Sequence, residues 1–335
     1  MQYKLYFAIG IIFSISGFTE SLSKTKEKEI KDDIVQLIEI NVNPKGELHF
    51  IAGFVRVAFH DCVGGCDGCL NLRDSNNAGL DVYVEPLETV YAKYNTDLTR
   101  ADFWQLVGIT AIERSARNCR ACIRPKLVFE TGRKDCADSP DYKGLRTFPM
   151  GGGHADINSG MIFLENAFGL PRTDPKLATA LIGAHSLGES HASASGWNGR
   201  WTQNPDQITN RYYKNLIKLR WSQIDLNKGK PGVDPIYQWQ PGKFHSKKQN
   251  IFDKRKKGVM MLNADLAFAK NLSTDATGLS GCPVSSKCKD QPDTAEWVRK
   301  YADNATLWEE NFAIAYMMMI RTGYNATDLH ATTAP

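Results

Sequence analysis

A mainly α-helical fold is predicted by three features of this sequence. Apolar residues recur at helical spacing, at Ile30, Ile34, Leu37 and Ile38 and again at Leu177, Ala180, Leu181 and Ala184. Strand-like alternation is scarce. Gly/Pro-rich stretches at 136–153 and 227–242 divide the chain into a front half, a middle block and a C-terminal helical part.

Taken in order, the N-terminus reads as an export signal over 1–17. Lys4 precedes an apolar run at 5–13, and Ser14, Ser16 and Gly17 offer a cleavage site. That run is too short to span a bilayer, and the next candidate, 312–320, reads as a core helix. A secreted, soluble protein with no membrane partner after signal removal is therefore expected. Pro149 and Gly151 to Gly153 interrupt any helix, so a boundary near Met150 separates a first lobe, 24–150, from a second, 151–325. In the second lobe Asp174 is placed to cap a helix whose first turn holds Pro175. Gly183 to Gly188 suggests close packing near that helix's end.

Composition excludes some functions. The 335 residues leave room for a buried cofactor, and 42% hydrophobic with 23% charged residues is ordinary for a globular enzyme. A net charge of +4, from 41 basic and 37 acidic residues, is too balanced for a nucleic-acid footprint. The basic run Lys254 to Lys257 reads as a solvated loop. Eight cysteines behind an export signal favour disulfides, of which Cys282 with Cys288 closes a plausible local loop; the other six allow fifteen pairings. Sequons stand at Asn271, Asn304 and Asn325. A monomer is expected.

Two segments carry chemistry. In Val55-Arg56-Val57-Ala58-Phe59-His60-Asp61-Cys62 the apolar residues suggest a buried helix that turns Arg56 and His60, four apart, to one face. A cation and a base would share one space, although in isolation an arginine paired with a neighbouring carboxylate beside a core histidine is the favoured explanation of the pair. In the second segment, 181–191, His185 sits among small apolar residues where a flat ligand could approach closely. His191 lies six residues on, which is not the i, i+4 pair of a zinc-protease helix.

Arg-x-x-Phe-His-Asp-Cys at 56–62 followed by Gly-Ala-His-x-Leu-Gly at 183–188 resembles the plant, fungal and bacterial haem peroxidase superfamily, which includes cytochrome c and ascorbate peroxidases. The resemblance runs from about Ile30 to Gly323. It implies a two-lobed helical fold with haem b between a distal and a proximal lobe, and hydrogen peroxide plus a small reductant as substrates. On the distal side it implies Arg56 and His60 as catalytic groups. Asn77 would hold His60 through Nδ1, with Asn76 as the register alternative. On the proximal side it makes His185 the axial iron ligand and Asp265, in Leu262-Asn263-Ala264-Asp265, the acceptor of its Nδ1 proton.

Other positions carried over give a hybrid. Trp201 resembles the tryptophan beneath the haem in the cytochrome c and ascorbate branches, where it is open to radical formation as well as packing. Phe59 resembles the secreted branches. His191 and Ser195 fall where haem propionates bind, and Pro149 near the haem entrance. Asp61, Gly65 and Asp67 resemble a distal calcium loop, although Cys69 replaces its usual serine ligand. Ser186, Thr202 and Asn204 resemble a second cation site in which Thr209 replaces the usual aspartate, and Asp102 with Arg133 resembles a buried structural ion pair.

The implied donors are phenols or aromatic amines. The arginine that binds ascorbate in ascorbate peroxidases falls at Ala194. The carboxylates of manganese peroxidases fall at His49, Gly53 and His191, and the surface tryptophan of lignin peroxidases at Ala180. Three rivals stand beside this reading: ascorbate oxidation through a different donor site, a non-enzymatic extracellular module on the same scaffold, and a zinc hydrolase using His60, His185 and His191.

Overall fold

The computed structural model describes residues 22–242 and 258–334, so the export segment 1–17 and the run Lys254 to Lys257 lie outside the described residues. Eleven helices are described, and the mainly α expectation holds. The first, α1 (Lys24–Ile40), starts where the Ser23 hydroxyl accepts the Lys26 N–H at 3.2 Å, and it buries Ile30, Ile34 and Ile38 as one stripe. Next come α2 (Phe50–Cys62), α3 (Asp81–Tyr91) and α4 (Arg100–Ser115). Helix α2 is buried along nearly its whole length because α4 packs across it. Gly108 of α4 permits that crossing, since a Cβ there would collide with Ala58 and the Tyr316 hydroxyl.

The second half holds α5 (Ile157–Phe168), α6 (Lys176–Leu181), α7 (Ala192–Ser195), α8 (Arg211–Lys218), α9 (Asn263–Leu266), α10 (Ala295–Asp303) and α11 (Ala305–Ile320). The described strands form three two-stranded antiparallel ribbons: β1 (Glu130–Thr131) with β6 (His330–Ala331), β2 (Glu189–Ser190) with β3 (Gly199–Arg200), and β4 (Trp221–Asp225) with β5 (Tyr237–Pro241). Residues 312–320 lie within α11, which packs against α2 as well as α6. Elements from both sides of Met150 thus share one core.

The start of α6 differs from expectation. Pro175 occupies the N-cap and no side chain caps the helix; Asp174 lies one residue too early to reach the first free N–H groups and pairs with Lys176 at 2.8 Å. The helix also stops at Leu181 and tightens into a 3-10 turn, Ile182–Ser186, which presents His185. Gly183 lets the Tyr213 hydroxyl and the Trp308 ring pack directly on that turn.

Candidate active site

On α2, Arg56 and His60 stand one turn apart as their spacing dictates. The Nδ1 of His60 lies 2.7 Å from Asn77 Oδ1. The amide of Asn77 is oriented by its own Nδ2, which donates to Asn71 O at 2.8 Å, so the atom facing His60 is an acceptor. The proton of His60 therefore sits on Nδ1, and Nε2 carries the lone pair. Asn76 is used differently: its side chain turns to Asp74 and its carbonyl accepts Arg56 Nη2 at 2.8 Å. Arg56 also donates to Ala78 O at 3.0 Å and, through Nε, to His60 Nε2 at 3.2 Å.

Burial and then the Arg56 charge push the His60 imidazole down to about 3, with the Asn77 bond opposing weakly. The base is thus neutral at working pH. Its apolar wall includes Phe59, at 5.4 Å between ring centroids, backed by Phe163 and Phe168. Phe148 closes against His60 at 4.9 Å, a role the sequence reading missed. Its neighbour Pro149 is half-buried, and Met150 beyond is exposed, so this segment runs from the distal pocket to the surface.

The proximal side centres on Asp265, whose side chain is fully buried. Its Oδ1 accepts from His185 Nδ1 at 2.6 Å and from the Tyr212 hydroxyl at 2.9 Å. Its Oδ2 accepts from Trp201 Nε1 at 2.7 Å and from the Leu262 N–H at 2.8 Å. Tyr212 was not foreseen; the Tyr212-Tyr213 pair on the buried face of the amphipathic α8 was its only sequence signal. Because Nδ1 of His185 donates, its Nε2 is left with a lone pair for a metal. That side chain is 35% exposed although Asp265 behind it is fully buried, so the imidazole fronts open space. The Trp201 ring stacks on it at 4.5 Å and 26°. His191 and Ser195 lie exposed on either end of α7, the Ser195 hydroxyl donating to His191 O at 3.2 Å.

The donor chemistry fits haem: two imidazoles, each pinned through Nδ1, each with Nε2 as its unprotonated atom. It does not fit a zinc centre. Among the described residues the only three candidate ligand atoms within 4.8 Å of one another belong to Asp67, Cys69 and Cys136, and those cysteines are joined in a disulfide.

In the loop of Asp61, Gly65 and Asp67, which resembles a calcium site, both carboxylates have protein partners. Arg146 Nη2 approaches both Asp67 oxygens, at 2.9 and 2.8 Å, and its Nη1 donates to Gly64 O at 3.3 Å, so a guanidinium supplies the positive charge of the loop. Asp61 accepts instead from the Cys69 N–H at 3.1 Å and from Gln105 at 2.8 Å. Burial and then Asp67 raise its carboxyl well above the usual range. Cys69, bonded to Cys136, offers no hydroxyl ligand, and Gly65 adds only the backbone of a turn at φ +125°. A calcium chelator should therefore leave the melting temperature of the protein unchanged, whereas Arg146→Ala should lower stability by about 1–3 kcal/mol by stranding Asp67. A chelator-induced drop in the wild-type melting curve would show that calcium holds the loop.

The remaining pairs are structural. Cys282 bonds Cys288 as expected; Cys62–Cys66 and Cys119–Cys122 complete the set, and no cysteine is free. Arg133 meets Asp102 at 2.7 Å in a buried ion pair and donates to Ile320 O, anchoring the end of α11.

A family model described as Peroxidase matches residues 38–304. A protein of Yarrowia lipolytica that carries the name heme-binding peroxidase is 28% identical over 282 residues, covering 80% of this chain and 77% of that one. Another of that name, from Debaryomyces hansenii, is 25% identical over 80% of this chain but only 54% of its own length. The mitochondrial cytochrome c peroxidase of Pyricularia oryzae is 28% identical, with 94% of this chain and 76% of that protein covered. The chain thus spans between half and about three quarters of these relatives.

Proposed function

The chain belongs to the peroxidase family and is a haem peroxidase, and from that premise we propose a secreted, monomeric enzyme that reduces hydrogen peroxide with electrons from small phenols or aromatic amines. The observation that carries the site assignment is the matched pair of imidazoles, His60 fixed by Asn77 and His185 fixed by Asp265, each with Nε2 free of a proton. His185 Nε2 would hold the iron, while His191 and Ser195 would meet the propionates. Haem, when bound, supplies the redox-active iron at which peroxide is reduced.

The chain's own residues manage protons and charge. His60 Nε2 takes a proton from hydrogen peroxide and passes it to the oxygen that departs as water. Arg56, held by the Ala78 and Asn76 carbonyls, stabilises negative charge as the O–O bond breaks. To reach His60, peroxide must replace the weak Arg56 Nε contact at 3.2 Å. Two donor molecules then return one electron each.

Donor choice is supported by what surrounds the entrance. Leu145 and Met150, which flank Phe148 in the chain, are exposed at 78% and 86%, apolar groups of the kind that suit aromatic donors. Ala194 offers no cation for ascorbate. Secretion is supported by four disulfides with no free thiol, and Asn271, Asn304 and Asn325 are all exposed for glycosylation, although the Pyricularia relative is named mitochondrial. Among the described residues no helix is long and apolar enough to cross a membrane.

One experiment tests the reading in two stages. Haem-reconstituted protein should show a Soret band that shifts on adding hydrogen peroxide; no band, or no shift, sinks it. Steady-state turnover should then be faster with guaiacol-type phenols than with ascorbate, ferrocytochrome c or manganese(II), and any other order overturns the donor assignment. Expression of the full-length chain in a eukaryotic host and recovery of the protein from the culture medium tests secretion; retention inside the cell contradicts it.

A further inference from the structure

Away from the haem site, a cavity of 490 Å³ opens beside α8. Arg211, Lys214 and Lys218 line it from one helix, at i, i+3 and i+7, while Tyr212, Tyr213 and Leu216 bury the opposite face. Facing them, the loop 202–210 contributes amides and hydroxyls, among them Gln203, Gln207 and Thr209. Among the described residues no carboxylate lines the cavity. Among the described residues none of the three cations forms an ion pair in the structure.

Three unpaired cations facing one concave space repel one another. Lys214 shows it: burial, then Arg211 and Lys218, lower its ammonium, and only Asp303 opposes. The wall behind them is fixed in advance. Asn215 Nδ2 donates to Trp201 O at 3.0 Å, and the Thr202 hydroxyl is directed to Ser186 O at 2.8 Å, so a ligand would meet a rigid floor. The same bond occupies a hydroxyl that resembled a cation ligand, and Thr209, in place of an aspartate, accepts the Arg211 N–H. Positive walls without a carboxylate make this a poor cation site and a good anion site.

We propose that this cavity binds a small polyanion, one carrying at least two phosphate or carboxylate groups. The size lies within the range of about 300–1,000 Å³ typical of small-molecule pockets, and a concave wall with three convergent cations selects a compact multivalent anion over a flat macromolecular surface. Neutral amide and hydroxyl donors between the cations complete the recognition of oxyanions. The proposal is independent of turnover at the haem.

Calorimetric titration of the haem-loaded protein with inorganic pyrophosphate and, separately, with citrate tests it at near-physiological salt. One-site saturable binding of at least one of them is expected, and the stronger of the two identifies phosphate or carboxylate as the preferred group. Lys214→Gln with Lys218→Gln should weaken that binding about tenfold or more while leaving the Soret band in place. Should the double variant lose haem, Arg211→Gln, at the exposed end of the row, serves instead with the same expected direction. Absence of saturable binding by both anions, or unchanged affinity in the variants, overturns the proposal.

Discussion

Replacing His60 with leucine should leave haem bound and slow the reaction with hydrogen peroxide by roughly 10³- to 10⁴-fold, the range a positioned acid–base group contributes. The imidazole is buried and its only polar partners among the described residues are Asn77 and Arg56, so leucine fills the space between Phe59 and Phe148 without opening it to water. What disappears is a proton acceptor that is neutral, oriented and within reach of peroxide. Its low pKa gives the experiment a second readout. Protonation at about 3 removes the base, so the wild-type rate should lack an acid limb from this group near pH 6.5 and fall only toward pH 3. The variant's residual rate should lose that low limb. Stopped-flow measurement of the Soret change across pH checks both, and a near-normal rate in His60→Leu with haem intact would remove His60 from the mechanism.

The parts of this site that were legible in sequence are those written in local spacing. Arg56 and His60 share a helix, and four residues is one turn, so their common face follows from helical geometry. The choice between Asn76 and Asn77 was not written in helical spacing. It is made by the 3-10 turn Ser75–Asn77, where Asp74 takes the Asn76 N–H and amide and leaves Asn77 to face α2. Nor could local spacing show what the carboxylates of the distal loop meet. Arg146 is 79 residues further along, in an irregular Gly/Pro-rich stretch with no periodicity to place it. Asp174 failed for a smaller reason, a shift of one residue in where the helix begins. Phe148 and Tyr212 reached the site through tertiary packing, which no motif around them signalled.

The converging donors on Asp265 lead to the other large effect, that of Asp265→Asn. The carboxylate accepts four bonds with nothing but acceptor atoms, and an amide keeps only one oxygen. Its NH₂ must then face either His185 and Tyr212 or Trp201 and Leu262, all of them donors, in a fully buried place. Whichever pair loses its acceptor is left unsatisfied at about 1–3 kcal/mol for each buried group. If the amide nitrogen faces His185, the imidazole is pushed from its tautomer; if it faces Trp201, the stacked indole is released. In both cases His185 loses a negative partner and becomes a poorer donor to iron. The ferric–ferrous midpoint potential should rise and haem affinity or peroxidase activity fall about 10- to 100-fold, as for other changes behind a metal ligand. Tyr212→Phe removes one donor of the four and leaves the charge in place, so its shift should be much smaller. Since Tyr212 shares Oδ1 with His185, deleting its bond leaves that oxygen more available to the imidazole, and the potential should move slightly down rather than up. Spectroelectrochemical titration of the two variants reads both signs, and an unchanged potential in Asp265→Asn would mean that the His185–Asp265 bond does not govern the iron.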